Sequence, residues 1–212
     1  MTLVLASGSA IRLALLSGAG LSVTAAPAAI DEAAIKAAAQ AEGGDVAETA
    51  LLLAEMKARR VARTRPETLV IGADQILVRD REWFDKPEDL AAAAAQLRRL
   101  AGGWHELVSA VVCWRGGTVL WRHVARPRLR MRPLSEAVIA AYLAAEGARV
   151  LSSVGAYRLE GPGIQLFDAI EGDYFSVLGL PLLPLLGFLR QHLRRDWLDG
   201  NTDETGFTRA IG

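Results

Sequence analysis

The chain has 212 residues, 51% of them hydrophobic, and its 24 lysines and arginines balance its 24 aspartates and glutamates. Zero formal net charge excludes the global positive field typical of nucleic-acid-binding proteins, so we expect no nucleic acid partner. The single cysteine, Cys113, can form neither an intramolecular disulfide nor a thiolate metal site alone. The longest apolar run, residues 175–189, is interrupted by Pro181 and Pro184. We therefore expect no contact with a membrane, and a cytoplasmic protein.

Strand and helix patterns alternate in the first half of the chain, and hairpin patterns follow in the middle. The predicted strands are Leu3–Leu5, Ser22–Ala25, Leu69–Gly72, Gln75–Val78, Glu106–Trp114, Thr118–Val124, Arg128–Met131, Ile164–Phe167 and Phe175–Leu178. The predicted helices are Ile11–Ser17, Asp31–Ala41, Ala47–Arg63, Pro87–Leu100, Ser135–Glu146 and Pro181–Arg194. This order favours an α/β fold with a mixed, twisted β-sheet flanked by helices. We predict one domain over residues 1–196 and a flexible tail over 197–212, where periodicity is lost.

The first strand runs into a turn rich in small and polar residues. Ser7, Ser9 and Arg12 stand where the strand gives way to an amphipathic helix. Backbone N–H groups at a helix start, hydroxyl donors and a guanidinium together suit phosphate oxygens. A simple helix N-cap is the alternative reading of this segment.

A single carboxylate follows the apolar run that ends at Gly72. Acids at this point of an α/β sheet commonly hold a metal or activate water, so Asp74 is a candidate for either role. A turn-forming aspartate is the alternative. An anion-binding turn and an acid at two strand ends together indicate chemistry on a phosphate ester.

Further motifs stand in a fixed order along the chain. Glu32 follows a short strand-like run, Lys57 lies in a long helical stretch, and Lys86 precedes a proline. The segments Gly155–Gly161 and Ile170–Leu182 follow near the C-terminus. Together with the LASGSxxR opening and the Gly-Ala-Asp-Gln element, these blocks resemble the Maf family of nucleoside triphosphate pyrophosphatases over residues 3–192.

The resemblance implies a fold related to that of the inosine triphosphatases, with two lobes around a central cleft. It also implies a house-cleaning enzyme that cleaves a nucleoside triphosphate to the monophosphate and pyrophosphate with a divalent metal, Mg²⁺ or Mn²⁺. Asp74 would be the general base and a metal ligand, and Glu32 the second carboxylate for the metal. The triphosphate-binding residues would be Ser7, Ser9, Arg12, Lys57 and Lys86. The resemblance leaves a homodimer open.

Three positions bear on the choice of base. Members that prefer dTTP and UTP typically carry Arg, Thr and Gln where this chain has Ile11, Gln75 and Glu160. Gln75 and Glu160 instead match the branch that prefers 7-methyl-GTP. A carboxylate can accept hydrogen bonds from the N1–H and 2-amino edge of guanine. We therefore predict a guanine-type substrate, with dTTP or UTP as the alternative. Ile11 departs from that branch, which usually has an aromatic residue there.

Two other classes of function remain open. One is a non-catalytic nucleotide-binding regulator of cell division, which the complete set of charged residues argues against. The other is weak polyanion contact by Arg126, Arg128, Arg130 and Arg132, although alternation on a strand is more typical of a solvated face.

His105, His123 and His192 lack the spacing of metal ligands, and we predict surface or packing roles for them.

Overall fold

The computed structural model describes residues 3–192, so the predicted tail lies outside the described residues and the domain boundary stays a prediction. The strands are β1 (Leu3–Leu5), β2 (Val23–Ala25), β3 (Leu69–Arg79), β4 (Glu82–Phe84), β5 (Trp104–Arg115), β6 (Thr118–Ala125), β7 (Arg128–Met131) and β8 (Phe167–Glu171). The α-helices are α1 (Ala10–Gly18), α2 (Glu32–Ala41), α3 (Val46–Ala62), α4 (Leu90–Leu100), α5 (Glu136–Glu146), α6 (Tyr174–Val177) and α7 (Leu182–His192). Short 3₁₀ helices span Gly147–Ser152, Val154–Ala156 and Pro162–Leu166.

All strands belong to one mixed sheet with the order β2-β1-β3-β5-β7-β8, in which β4 also pairs with β3 and β6 with β5. Strand β1 is parallel to both β2 and β3, while the remaining pairings of these strands are antiparallel. Helices pack on this sheet, so the predicted mixed α/β fold is confirmed. No helix within residues 3–192 combines the length and apolarity needed to cross a bilayer.

The two longest strands, β3 and β5, pair from Val70 opposite Trp114 to Val78 opposite Glu106. The prediction of separate strands at 69–72 and 75–78 is therefore wrong, because antiparallel pairing with β5 continues through the interval. Asp74 lies within β3, opposite Ala110, and does not follow a strand end. What does end here is β1, whose last residue, Leu5, pairs with Ile71. The turn after β1 consequently lies beside the part of β3 that carries Asp74.

The buried residues form cores at two ends of the long strands. At one end, α4, α5 and the first two 3₁₀ helices pack around Leu77 and Leu107. At the other end, α1 and α7 pack around Leu5 and Ile71, and α3 packs on the opposite face of the same strands. The molecule therefore has two halves that share β3 and β5, as the prediction of two lobes requires.

Side-chain caps fix where the main helices begin. Asp31, Asp45 and Ser135 accept hydrogen bonds from backbone N–H groups in the first turns of α2, α3 and α5. The predicted start of α4 at Pro87 is too early, because Asp89 is its N-cap and accepts from Ala92 N. The predicted end of the last helix at Arg194 lies beyond the described residues.

Two predicted strands near turns are wrong, and one observed strand was not predicted. The segment predicted as a strand at 164–167 is mostly the 3₁₀ helix Pro162–Leu166, because Pro162 fixes its first turn, and the strand β8 follows it. The segment predicted as a strand at 175–178 is helix α6, which the Asp173 side chain caps at Ser176 N. Strand β4 was not predicted; it forms because Asp80 and Arg81 both adopt positive φ in a tight hairpin turn.

The predicted arginine cluster forms a solvated and paired face. Arg128 and Arg130 stack over Trp104 and lie within ion-pair distance of Glu171 and Asp168 on β8. Arg126 pairs with Glu106, and Arg132 donates to the Gln165 carbonyl. Because each guanidinium already has an acidic or carbonyl partner, this face offers little to a polyanion.

Gly72 sets the distance between α3 and the sheet. A methyl group at this position would overlap the Ala54 carbonyl oxygen and lie 2.9 Å from the Ala58 Cβ. The helix can therefore lie directly on β3 only because residue 72 has no side chain. Lys57, on the same stretch of α3, thereby comes within reach of Asp74.

We expect Gly72→Ala to lower the free energy of unfolding by about 3 kcal/mol, because the methyl group would push the helix backbone away from the strand. Urea unfolding would measure the change. Gly187→Ala is the matched control, since this helical position has nothing within 4 Å of the added methyl group. The control should be neutral or slightly stabilising. Equal midpoints for both variants would contradict the packing account.

Candidate active site

A cavity of about 1100 Å³ lies between the two halves of the molecule. One wall comes from the turn after β1 and from α2, α3 and β3, and the other from residues 149–160 and 177–178. Every site residue predicted from the sequence lines it: Ser7, Ser9, Ile11, Arg12, Glu32, Lys57, Asp74, Gln75, Lys86 and Glu160. Residues up to 153 positions apart in sequence are thus brought to one cavity; their roles remain predictions.

The turn after β1 is held in shape by its own hydroxyl groups. The Ser9 hydroxyl caps α1 by accepting from Arg12 N, so the N-cap reading is correct for this residue. The Ser7 hydroxyl accepts from Ser9 N at 3.2 Å and from Arg12 Nη1 at 3.2 Å. Both hydroxyls still face the cavity beside the first turn of α1. The capping and anion-binding readings are therefore compatible.

Arg12 is anchored to two separate segments. Its Nε donates to the Gly179 carbonyl at 2.7 Å, and its Nη1 donates to the Ala73 carbonyl at 3.2 Å. Burial lowers the pKa of this guanidinium, and the nearby carboxylates of Asp74 and Glu32 act in the opposite sense. The cation is held rigidly next to Asp74.

Lys57 lies between two carboxylates. Its Nζ is 2.6 Å from Asp74 Oδ1 and 2.9 Å from Glu32 Oε1. Lys57 and Asp74 are 6% and 3% exposed, whereas the Glu32 side chain is 42% exposed. A buried charge requires a partner, and this arrangement supplies one to each buried group.

The second oxygen of Asp74 has a different environment. Oδ2 is buried, and no group in residues 3–192 forms a hydrogen bond with it. Buried polar atoms are rarely left without a partner, so an unsatisfied oxygen in a cavity wall points to a bound water, ion or ligand. Asp74 thus has one oxygen paired with Lys57 and one without a partner among residues 3–192.

The charges around Glu32 keep it ionised. Burial would raise the pKa of Glu32, but the hydrogen bond and charge of Lys57, with the charges of Lys36 and Lys86, bring it below its usual value. Lys86 lies at the rim, where partial burial and the charges of Arg12 and Lys57 lower its pKa. Glu32 and Asp74 act on Lys86 in the opposite sense.

Lys36 is a further cation of this cavity that the sequence reasoning missed. Its side chain is largely buried in the cavity wall, and Nζ is 2.9 Å from Asp85 Oδ1. Gln96 donates to the backbone carbonyl of the same aspartate at 2.8 Å. The segment that carries Lys86 is therefore held from both sides. A lysine within an alanine-rich helix was the available signal, but it resembled an ordinary surface residue.

The side-chain amide nitrogen of Gln75 forms hydrogen bonds within the protein. Nε2 lies 2.8 Å from Ser109 Oγ and 3.1 Å from the carbonyl oxygens of Ser176 and Val177. This amide thereby joins β3 to α6, which borders the cavity. Only the amide oxygen of Gln75 remains to face a ligand, so its predicted part in base selection is restricted to that atom.

Glu160 reaches the cavity from the opposite wall. Its Oε1 accepts from Arg158 Nε at 2.9 Å, and Arg158 Nη1 donates to Glu146 Oε2 at 2.8 Å. Burial would lower the pKa of Arg158, but the charges and hydrogen bonds of Glu160 and Glu146 raise it. Sequence reasoning identified Glu160 but neither of its supporting residues, because residues 146 and 158 meet only through the fold.

His105 supports the same wall. Its Nε2 is 2.8 Å from the hydroxyl of Tyr157, which lines the cavity, and both rings contact Phe167. Burial, with the charge of Arg79, lowers the pKa of His105 to about 4. His105 is therefore neutral at pH 7 and packs in the core, one of the two roles predicted for it.

The donor set of the cavity suits a hard divalent cation bound together with phosphates. Magnesium is commonly held by one or two carboxylates, waters and substrate phosphates. Asp74 Oδ2 and the partly exposed Glu32 provide the carboxylate oxygens. Among the described residues there is no cluster of three or more His, Cys, Asp or Glu that would form an all-protein cage. The residues fit a metal that arrives with a phosphate ligand.

The chemistry of the cavity is divided between its two walls. Arg12, Lys36, Lys57 and Lys86 on one wall can neutralise a polyphosphate, and Asp74 can accept a proton beside them. The other wall offers a carboxylate, an aromatic ring and apolar surface that suit a heterocyclic base.

Residues 2–192 match the model of the family described as Maf-like protein. A nucleoside triphosphate pyrophosphatase of Granulibacter bethesdensis is 56% identical over 192 residues, which cover 91% of this chain and 98% of the relative. A 7-methyl-GTP pyrophosphatase of Rhizobium etli is 52% identical over 189 residues, covering 89% of this chain and 95% of the relative. A nucleoside triphosphate pyrophosphatase of Rhodospirillum rubrum is 51% identical over 189 residues, covering 89% and 94%. The chain belongs to the Maf family.

Proposed function

We propose that the chain hydrolyses nucleoside triphosphates to monophosphates and pyrophosphate, with Asp74 as general base. Relatives that share half or more of their residues are named nucleoside triphosphate pyrophosphatases, and the chain is accordingly a hydrolase acting on acid anhydrides. The assignment of Asp74 rests on its Oδ2, which is buried in a wall rich in cations and has no hydrogen-bond partner in the described part of the chain. We also propose that this enzyme has a house-cleaning role.

The cations bind and orient the triphosphate. Arg12 is fixed by two backbone carbonyls, and Lys57 by two carboxylates, so neither has to be ordered when the substrate arrives. Pre-positioned charges of this kind stabilise the negative charge that develops on phosphoryl oxygens. The hydroxyls of Ser7 and Ser9 and the start of α1 add neutral donors.

Asp74 activates the water. Its Oδ1 is held by Lys57, and its Oδ2 takes a proton from a water molecule at the cavity surface. The water oxygen forms a bond to the α-phosphorus. The bond from this phosphorus to the bridging oxygen of the α–β anhydride breaks, and pyrophosphate leaves with the electron pair. Glu32 and Asp74 would hold the divalent metal, which adds charge neutralisation on the phosphates when bound.

Base selection belongs to the opposite wall. Glu160 uses Oε1 for Arg158, so its second oxygen can accept from the N1–H and 2-amino group of guanine. A pyrimidine would instead present carbonyl oxygens to the carboxylate, which is unfavourable. We therefore propose a preference for guanine-type triphosphates, including 7-methyl-GTP. Preference for dTTP or UTP is the alternative.

The bond cleaved is the direct test of the proposed reaction. With a nucleoside triphosphate and Mg²⁺ or Mn²⁺, we expect equal amounts of monophosphate and pyrophosphate, and no turnover with excess chelator. Product separation by ion-exchange chromatography in a pyrophosphatase-free preparation measures both. Release of the diphosphate and inorganic phosphate would identify an ordinary phosphohydrolase, and no release at all would favour the non-catalytic regulator.

We expect Asp74→Asn to lower kcat by about 10²–10⁴, because the amide is isosteric but cannot accept the proton. Steady-state rates and circular dichroism would be measured together. Asp168→Asn is the matched control, since this strand aspartate pairs with Arg130 at the surface. A native spectrum with kcat within about threefold of the wild type would remove Asp74 from its assigned role, since general-base loss exceeds that range.

We expect kcat/KM to be higher for GTP and 7-methyl-GTP than for UTP and dTTP by about ten- to a hundredfold. Glu160→Gln should shift this ratio toward the pyrimidines, because the amide can donate to a carbonyl oxygen. Glu171→Gln, which removes a surface partner of Arg128, is the control. A ratio near one in the wild type, or an unchanged ratio in Glu160→Gln, would refute base selection by Glu160.

A further inference from the structure

A buried carboxylate lies behind the cavity wall that carries Glu160. Glu146 ends α5, and its side chain is 2% exposed. Its Oε2 accepts from Arg158 Nη1 at 2.8 Å, while Arg149, largely exposed, lies 3.6 Å from Oε1. A buried carboxylate without a close cation is strongly destabilising, so Glu146 fixes the position of the Arg158 guanidinium.

One guanidinium thus joins two carboxylates. Arg158 donates a hydrogen bond from Nη1 to the buried Glu146 and another from Nε to Glu160 at the cavity. Its backbone N–H is also fixed, because it donates to the Tyr142 hydroxyl at 3.2 Å. The planar guanidinium presents its donors in fixed directions, so anchoring one side determines where the other points.

The turn around this chain of contacts is closely packed. A methyl group at Gly161 would lie 3.1 Å from Glu146 Oε1. A methyl group at Gly163 would lie 2.8 Å from Arg158 N and would overlap the carbonyl oxygen of the same residue. The absence of side chains at these positions lets the turn close over the end of α5 and brings Glu146 against it.

Because Arg158 binds both Glu146 and Glu160, its position determines how many carboxylate oxygens of Glu160 remain available to a ligand. Arg158 contacts Glu160 through Nε, at Oε1 alone, while Glu146 holds Nη1 and thereby fixes the direction of the guanidinium plane. A guanidinium released from Glu146 could turn so that Nε and Nη2 form the two parallel hydrogen bonds that arginine prefers with a carboxylate. Both oxygens of Glu160 would then be occupied, and none would be left for a ligand.

We propose that Glu146 and Arg158 are positioning residues for base selection: they hold Glu160 with one oxygen free for the substrate base. This inference rests on the proposed selection of guanine by Glu160. Neither residue contacts the triphosphate in this account. Their effect is on the ratio of kcat/KM between bases, which a purely structural role would leave unchanged.

The test compares kcat/KM for GTP and UTP in Glu146→Gln, Arg158→Lys and Glu160→Gln, and in the double variant of residues 146 and 160. Glu136→Gln is the matched control, because it removes an arginine partner at the other end of α5 on the exposed surface. Arg158→Lys keeps the positive charge but not the planar arrangement of donors. It tests the positioning role if Glu146→Gln does not fold. Urea unfolding of each variant separates loss of stability from loss of selection.

We expect the GTP to UTP ratio to fall on the order of tenfold in Glu146→Gln and in Arg158→Lys, and to stay at the wild-type value in Glu136→Gln. In the Glu160→Gln background, Glu146→Gln should cause no further fall, because coupled residues are not additive. An unchanged ratio in both Glu146→Gln and Arg158→Lys, or the full fall in the Glu160→Gln background, would overturn the inference. If the GTP to UTP ratio shifts in the Glu160→Gln single variant, the proposed base selection by Glu160 stands even when this inference fails. If that ratio does not shift in Glu160→Gln, both the base selection and this inference are refuted.

Discussion

The position of Lys57 governs the geometry of the cavity wall formed by α2, α3 and β3. Its ammonium group lies 2.6 Å from Asp74 and 2.9 Å from Glu32, so one cation fixes a carboxylate on β3 and another on α2. That position depends in turn on Gly72, which lets α3 lie directly on the strand. Lys57 supplies the opposite charge that a buried carboxylate requires at Asp74. Packing and electrostatics therefore act on the same pair of elements.

The early end of β1 gives this wall its second component. Because β1 stops opposite Ile71, the edge of β3 beyond that residue is free to receive the turn that carries Ser7 and the first turn of α1, which carries Arg12. Arg12 then hydrogen-bonds the carbonyl of Ala73, one residue before Asp74. A short parallel strand beside a long one thus brings a helix start and an acid together, although they are more than sixty residues apart.

The parts of the structure that the sequence predicts are those encoded locally. Helical periodicity located α3 and α5, and the hairpin pattern in the middle of the chain located β5 and β6. The continuity of β3 through Asp74 was missed because Gly72 and Ala73 have little strand preference, and pairing with β5 overrides it. The short segments 164–167 and 175–178 were mistaken for strands because three apolar residues among four fit either structure. The resemblance to a family identified residues of the cavity, but not the supporting Lys36, Glu146 and Arg158, whose ion pairs appear only in the folded structure.

The two walls of the cavity are built in physically different ways. The wall that carries Asp74 and Lys57 rests on a sheet and a long helix, where moving one side chain disturbs buried ion pairs. The wall that carries Glu160 is made of 3₁₀ helices and turns between α5 and β8, held by one guanidinium and two glycines. Substitutions in turns disturb fewer packed neighbours than substitutions in a sheet. A fold of this kind can therefore keep the wall that carries Asp74 fixed while the residues of the opposite wall vary.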